Sequence, residues 1–264
     1  MENSRISKAL FTLFWVLSAT FAKGQKIHYS EAEAEDGRQL NFEIIGRALP
    51  YLAGGLQYTV QLTLVAATGG VIFGTLLALA RLSSLKPLAL AAAGYVNMMR
   101  SIPLLLVIFW FYFLVPVLLQ AITGAERPPQ IGAERSAYIT FIMFEAAFFC
   151  EIMRAGIQSI AKGQAGAGYA LGLNYWQVMA QIILPQAFRN MLPLLLTQSI
   201  ILFQDVSLVS LLNVTDFVGA AVKVAQRDSR VVEMYLFVAA VYFVLCFSLS
   251  AAVKQLQRRI AIIR

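Results

Sequence analysis

The sequence predicts an all-α integral membrane protein, and three observations carry that prediction. Hydrophobic residues make up 59% of the 264 and charged residues 13%, with a mean hydropathy of +0.70, outside the range of a soluble domain. Several separate apolar runs reach the roughly 20 residues a helix needs to cross a bilayer. The alternating apolar and polar runs of a transmembrane barrel are missing. The +7 net charge fits the basic bias of membrane proteins, and with no basic run interleaved with aromatics, nucleic acid is not an expected partner. Cys150 and Cys246 lie in apolar runs and His28 is the one histidine, so no Cys/His metal cluster is expected.

Arg5 and Lys8 precede a short apolar stretch, residues 9–22, that ends in small residues. It reads as a cleavable signal peptide or as an uncleaved signal anchor. Residues 23–50, with Glu31, Glu33, Glu35 and Asp36, read as a polar linker outside the membrane. The first secure span is residues 56–80, with Gly70 and Gly74 spaced to let another helix approach closely. Arg81, Ser83, Ser84, Lys86 and Pro87 then form a basic turn, placed on the cytoplasmic side.

The run 88–120 is interrupted by Arg100-Ser101-Ile102-Pro103, where Pro103 removes a backbone donor and should break or kink the helix. Arg100 is too costly to face lipid. It is either a cation on a translocation path or a structural bridge to a carboxylate or to helix carbonyls. A polar loop, residues 124–136, leads to a third span, residues 137–153, which carries Glu145 among aromatic residues. Glu145 is a path residue by position, or a neutral hydrogen-bonded carboxyl at a helix interface.

Residues 151–185 form the longest internal interval without a membrane-length apolar run, and a loop of this size between two spans usually has a function. Its Ala, Leu, Gln and Met favour short helices, its glycines permit tight turns, and Pro185 marks an expected break. A fourth span, residues 192–212, contains Gln204-Asp205-Val206-Ser207, and Asp205 is expected to pair with Arg100. Residues 213–233 suit an extramembrane helix or loop capping the path. The last span, residues 234–253, runs into a basic tail with Lys254, Arg258, Arg259 and Arg264.

Four blocks in the long loop carry a resemblance: Glu151-Ile152-x-Arg154-Ala155-Gly156-Ile157, Gly163-Gln164, Ala170-Leu171-Gly172-Leu173, and Ile183-Leu184-Pro185-Gln186-Ala187. At this spacing they resemble the cytoplasmic coupling loop of the membrane subunit of polar amino-acid ABC importers, and among those are most similar to the glutamate/aspartate permeases. Pro50-Tyr51-Leu52, the Arg100–Pro103 block and the Gln204–Leu208 block extend the likeness over roughly residues 50–256. It implies a type I ABC importer transmembrane fold with five core helices, in a permease domain over 51–256 with its coupling loop at 155–185, in the bacterial cytoplasmic (inner) membrane.

The resemblance also implies the partners: two ABC ATPase subunits, a second permease identical or homologous to this one, a periplasmic or surface amino-acid-binding protein, and an amino-acid substrate, acidic first. This chain would bind no cofactor, with ATP and Mg²⁺ held by the ATPase. Gly163, Gln164, Ala167, Ala170, Leu171, Gly172, Leu173, Tyr175 and Trp176 would contact the ATPase, on a helix around 169–177, with Gly172 allowing close backbone contact. Arg100, Pro103, Glu145, Gln204, Asp205 and Ser207 would line the path.

Three departures from the family pattern stand out, one of them Val206 in place of Thr or Ser. Gln204 replaces a frequent Lys, and Gly166-Ala167-Gly168 replaces Glu-Ala-Ala, which should loosen the contact. The sequence has no Gly-Lys-Ser/Thr phosphate loop and no catalytic cluster, so it is not expected to be an enzyme. A self-sufficient channel or secondary transporter is the competing class. It leaves the coupling loop unexplained, and no internal repeat supports it.

Overall fold

The computed structural model describes residues 42–260. The two readings of residues 1–22, and the linker as far as residue 41, lie outside the described residues. Within 42–260 the chain forms eight helical elements: α1 (Glu43–Arg81), α2 (Lys86–Ser101), α3 (Leu104–Thr123), α4 (Ala133–Gln158), α5 (Lys162–Ala170), α6 (Tyr175–Leu212), α7 (Phe217–Asp228) and α8 (Val231–Ile260). Five of them, α1, α3, α4, α6 and α8, are long and apolar enough to cross a membrane.

Helix α1 is 39 residues, about 58 Å at 1.5 Å per residue, and outruns a bilayer core of about 30 Å. It starts at Glu43 and takes in Pro50, so the last eight residues of the expected linker are helical. Packing explains this: Ala48 and Leu52 are buried against α7 and α8 in a core with Phe217, Val224 and Met234. That burial offsets the backbone donor missing at Pro50.

The opposite half of α1 lies on α4. A Cβ on Gly70 would sit 2.9 Å from the Glu145 Cβ and from the Phe149 ring, and one on Gly74 2.9 Å from the Ala146 carbonyl. The small residues therefore serve helix packing within the chain. Phe141, Phe149, Leu62, Val96 and Val107 fill this main core.

The run 88–120 is broken as expected. Ile102 and Pro103 are extended, with φ/ψ of −111°/135° and −57°/134°, so α2 ends and α3 starts in a new direction. Pro185, by contrast, ends nothing. The α6 helix runs unbroken from Tyr175 to Leu212, and a π-helical turn at Met179–Ile183 precedes the proline. Pro116 in α3 has the same arrangement after the π-helical turn Trp110–Leu114. A wider turn accommodates the ring where an α-turn would set it against the carbonyl four residues back.

Candidate functional site: the long loop and its root

The loop between α4 and α6 is built as a closed hairpin. At its root, Gly156 lets α6 approach, since a Cβ there would lie 2.9 Å from the Met191 Cβ. Asn190 Nδ2 donates to Ser159 Oγ at 2.8 Å. Further out, Gln186 Nε2 donates to the Ile182 carbonyl at 2.8 Å and reaches Gln164 Oε1 at 3.4 Å. The second and fourth blocks read in the sequence are thus joined in space.

Helix α5 ends in a left-handed turn in which the Gly172 N–H donates to Tyr169 O (3.0 Å) and the Leu173 N–H to Gly168 O (3.1 Å). Asn174 then starts α6 with a capping box: its Oδ1 accepts from the Gln177 N–H at 3.0 Å, and Gln177 Oε1 accepts from the Asn174 N–H at 2.9 Å.

These turns correct one expectation. Residues 169–177 are not one helix but two helix ends around a rigid turn. Gly172 has φ +80°, a backbone conformation that favours glycine, and open space around a Cβ within the chain. Gly168 is buried, and a Cβ there would lie 2.7 Å from Ile182 Cδ1 and 2.8 Å from Val178 Cγ2. It therefore draws α5 tightly onto α6, whereas Gly166 touches nothing.

The outcome is a knuckle with an apolar cap. Leu171 is 80% exposed, Trp176 76%, Tyr175 54% and Tyr169 49%. Gly163, Gln164, Ala167 and Ala170 are also exposed, and Leu173 is half-buried. Rings that each carry about 150–250 Å² of surface are held outward by turn hydrogen bonds, an arrangement that fits a partner surface.

The expected path residues separate into three places. Arg100 does not pair with Asp205: its guanidinium is 3.8 Å from Glu151 Oε2 and lies over the Phe148 ring, 5.7 Å from its centroid. Sequence separation carried no information on which carboxylate faced it. Pro103 forms the break just beyond. Glu145 is fully buried and accepts hydrogen bonds from Gln198 Nε2 at 3.2 and 3.3 Å, tying α4 to α6. This is the interface reading of Glu145, and Gln198 was not singled out because an amide in a polar-tolerant helix gives no signal by itself. Gln204 is exposed along a groove of about 400 Å³ between α6 and α8, with Tyr242, Phe243, Cys246 and Ser250. Asp205 and Ser207 are half-buried and do not line that groove.

Glu151 is the carboxylate that sequence reasoning left without a role. It accepts from Arg81 Nη1 at 2.6 Å and from Arg154 through Nε, at 3.1 Å, and through Nη2. Arg154 also donates to Gln158. Among the described residues no group of acidic, Cys or His side chains is placed to hold a metal ion.

At the far end of the molecule, Asp216 caps α7, accepting from the Val218 and Gly219 N–H groups at 3.1 and 2.9 Å. The Phe217 N–H donates to Thr59 Oγ1 at 3.0 Å. Burial pushes the Asp216 carboxyl up from 3.8 to about 6, while the cap N–H groups and Lys223 pull the other way.

Residues 70–262 match the model of a family described as the binding-protein-dependent transport system inner membrane component. The chain belongs to that family. It is a multi-pass inner-membrane permease, and its relatives are permease subunits of amino-acid ABC importers. It is 50% identical over 223 residues to the glutamate/aspartate import permease protein GltK of Escherichia coli O6:H1, covering 84% of this chain and 99% of that one. It is 34% identical to the L-cystine transport system permease protein TcyB of Bacillus subtilis, over 80% and 87% of the two chains. A solved amino acid ABC transporter with histidines superposes with a TM-score of 0.76 at 30% identity, over 84% of this chain and 99% of that one. The methionine transporter MetNI, at 17% identity and a TM-score of 0.62, shares the fold.

Proposed function

We propose that this chain is the permease of an ATP-driven importer of acidic amino acids, forming half of the path and receiving its drive from a separate ATPase. The observation that carries the ATPase coupling is the Leu171–Trp176 knuckle, a rigid apolar projection at the end of a closed hairpin. The 50% identity to a glutamate/aspartate import permease supports the choice of substrate. Two ATPases closing on ATP would push two such knuckles together and carry α4 and α6 with them as one body, a rigid-body transition of packed helices. The second knuckle comes from a second permease, identical or homologous, and the solute is delivered by a binding protein.

In this reading Gln204, Asp205 and Ser207 form the polar wall of the path. Glu145 and Arg100, held by Gln198 and Glu151, keep its helices in register. Gln204 carries no charge where many relatives have Lys, so the wall attracts an anionic solute less strongly than theirs.

The test is purification in gentle detergent from the native membrane, with mass identification of everything recovered, followed by uptake in proteoliposomes. An ATPase subunit in the complex and ATP-dependent uptake of glutamate or aspartate are the expected outcomes. The chain alone, in a sample that keeps other complexes intact, would revive the channel or secondary-transporter reading. Gly172→Asp should abolish uptake while leaving the chain in the membrane.

A further inference from the structure

Three guanidinium groups from three helices meet one carboxylate at the root of the coupling loop, and they are not equivalent. Arg154, on the same helix, grips both oxygens of Glu151, and Arg81, at the end of α1, donates at 2.6 Å with its side chain 15% exposed. These two contacts alone outweigh the single negative charge. Arg100, at the end of α2, is third in order: 3.8 Å away, 39% exposed and repelled by the two cations already in place. In the same position its guanidinium lies over the Phe148 ring, on α4 about one turn before Glu151. Immediately after it the chain is extended through Ile102 and Pro103, so α2 is not locked to the direction of α3.

We infer that Glu151 is a positioning residue of the transport cycle, holding the ends of α1 and α2 on the root of the coupling loop, and that its tie to Arg100 is the arm that opens and closes. The inference rests on the proposed coupling to an ATPase. Glu151 lies five residues before Gly156, inside the body that moves with the knuckle. A shift of that body relative to α1 meets the strong Arg81 contact and is carried to α1. The same shift meets, at the end of α2, the weak, exposed Arg100 contact, which gives way and lets the Ile102–Pro103 joint change angle. The sequence of ties sets which helix follows the loop and which one yields.

The test uses the complete complex with its co-purifying ATPase in proteoliposomes, comparing wild type, Arg100→Lys and Arg100→Gln. Amino acid taken up per ATP hydrolysed should fall at least about fivefold in Arg100→Gln with ATP hydrolysis continuing, and stay within about twofold in Arg100→Lys. Raising KCl from about 0.1 to about 1 M shortens the screening length from about 10 to about 3 Å, which should lower the wild-type ratio and leave that of Arg100→Gln unchanged. A merely structural Arg100 would instead show as a salt-dependent melting temperature of the complex with an unchanged uptake per ATP hydrolysed. An Arg100→Gln complex with wild-type coupling and a wild-type salt profile would overturn the inference and leave the proposed function standing. A wild-type preparation that contains no ATPase would remove both.

Discussion

The two ends of the molecule are held together by different physics. At the α7 end, α1, α7 and α8 share a small apolar core, and the backbone of α7 lies so close to α1 that a Cβ on Gly55 would sit 2.6 Å from the Asp216 carbonyl oxygen. At the loop end, by contrast, ion pairs, side-chain amides and turn hydrogen bonds set the geometry, and the large apolar side chains point outward. The contrast teaches where movement is permitted. Close-packed apolar contact resists small displacement, while exposed polar ties exchange at little cost.

The largest expected effect breaks the packed end. Gly55→Val places side-chain atoms inside van der Waals contact of the α7 backbone, which has no flexible end to yield. We expect a loss of about 3 kcal/mol or more, seen as little assembled complex in the membrane fraction. Recovery of a normal complex would show that this joint is looser than the packing implies.

Asp216 gives a comparable effect through pH. Its folded value of about 6 lies above the 3.8 of a free carboxyl, so the folded chain holds the proton between the two. The stability this confers is full below about 3.8 and is lost as pH rises through about 6, a total of at most about 3 kcal/mol. Thermal unfolding of the complex should therefore shift upward on going from pH 7.5 to about pH 5, and Asp216→Asn should flatten that slope.

At the loop end the effects should fall on function and spare stability. Trp176→Ala removes a ring that is 76% exposed, so the chain should assemble normally while ATP-driven uptake drops at least about tenfold, about 1.4 kcal/mol. Smallest is Gly172→Ala, which forces a methyl group into a left-handed turn at a cost of about 1 kcal/mol. Its readout is a modest loss of uptake with an unchanged melting temperature of the assembled complex, because the turn unfolds locally.

The sequence made some features legible because their causes are local. Spans follow from run length, the Pro103 break from a missing donor, and the Gly70/Gly74 contact from the absence of side chains. The long loop between α4 and α6 was marked as a unit by four blocks at fixed spacing. What it left open depends on direction in space. Arg100 was matched to Asp205 because both are ionisable and in membrane-length runs, yet the facing carboxylate was Glu151, already noted as part of a motif. Gly172 was legible as a glycine for a tight turn or a close approach, and its φ of +80° shows the turn. Pro185 misled because the rule that proline ends a helix takes no account of a π-helical turn upstream.

That turn at Met179–Ile183 has a consequence for how the knuckle is aimed. One residue beyond the α-helical count advances the phase of everything preceding it by about 100° around the axis. Trp176 and the part of α6 that packs on α4 are therefore out of step with any straight heptad reading of the sequence. Deleting a single residue within the turn would swing the knuckle about the span by a quarter of a circle or more and part the contacts that cross it, Gly168 with Ile182 and Gln164 with Gln186. The extra residue works as an angular setting, fixing where the loop points relative to the helix that carries it.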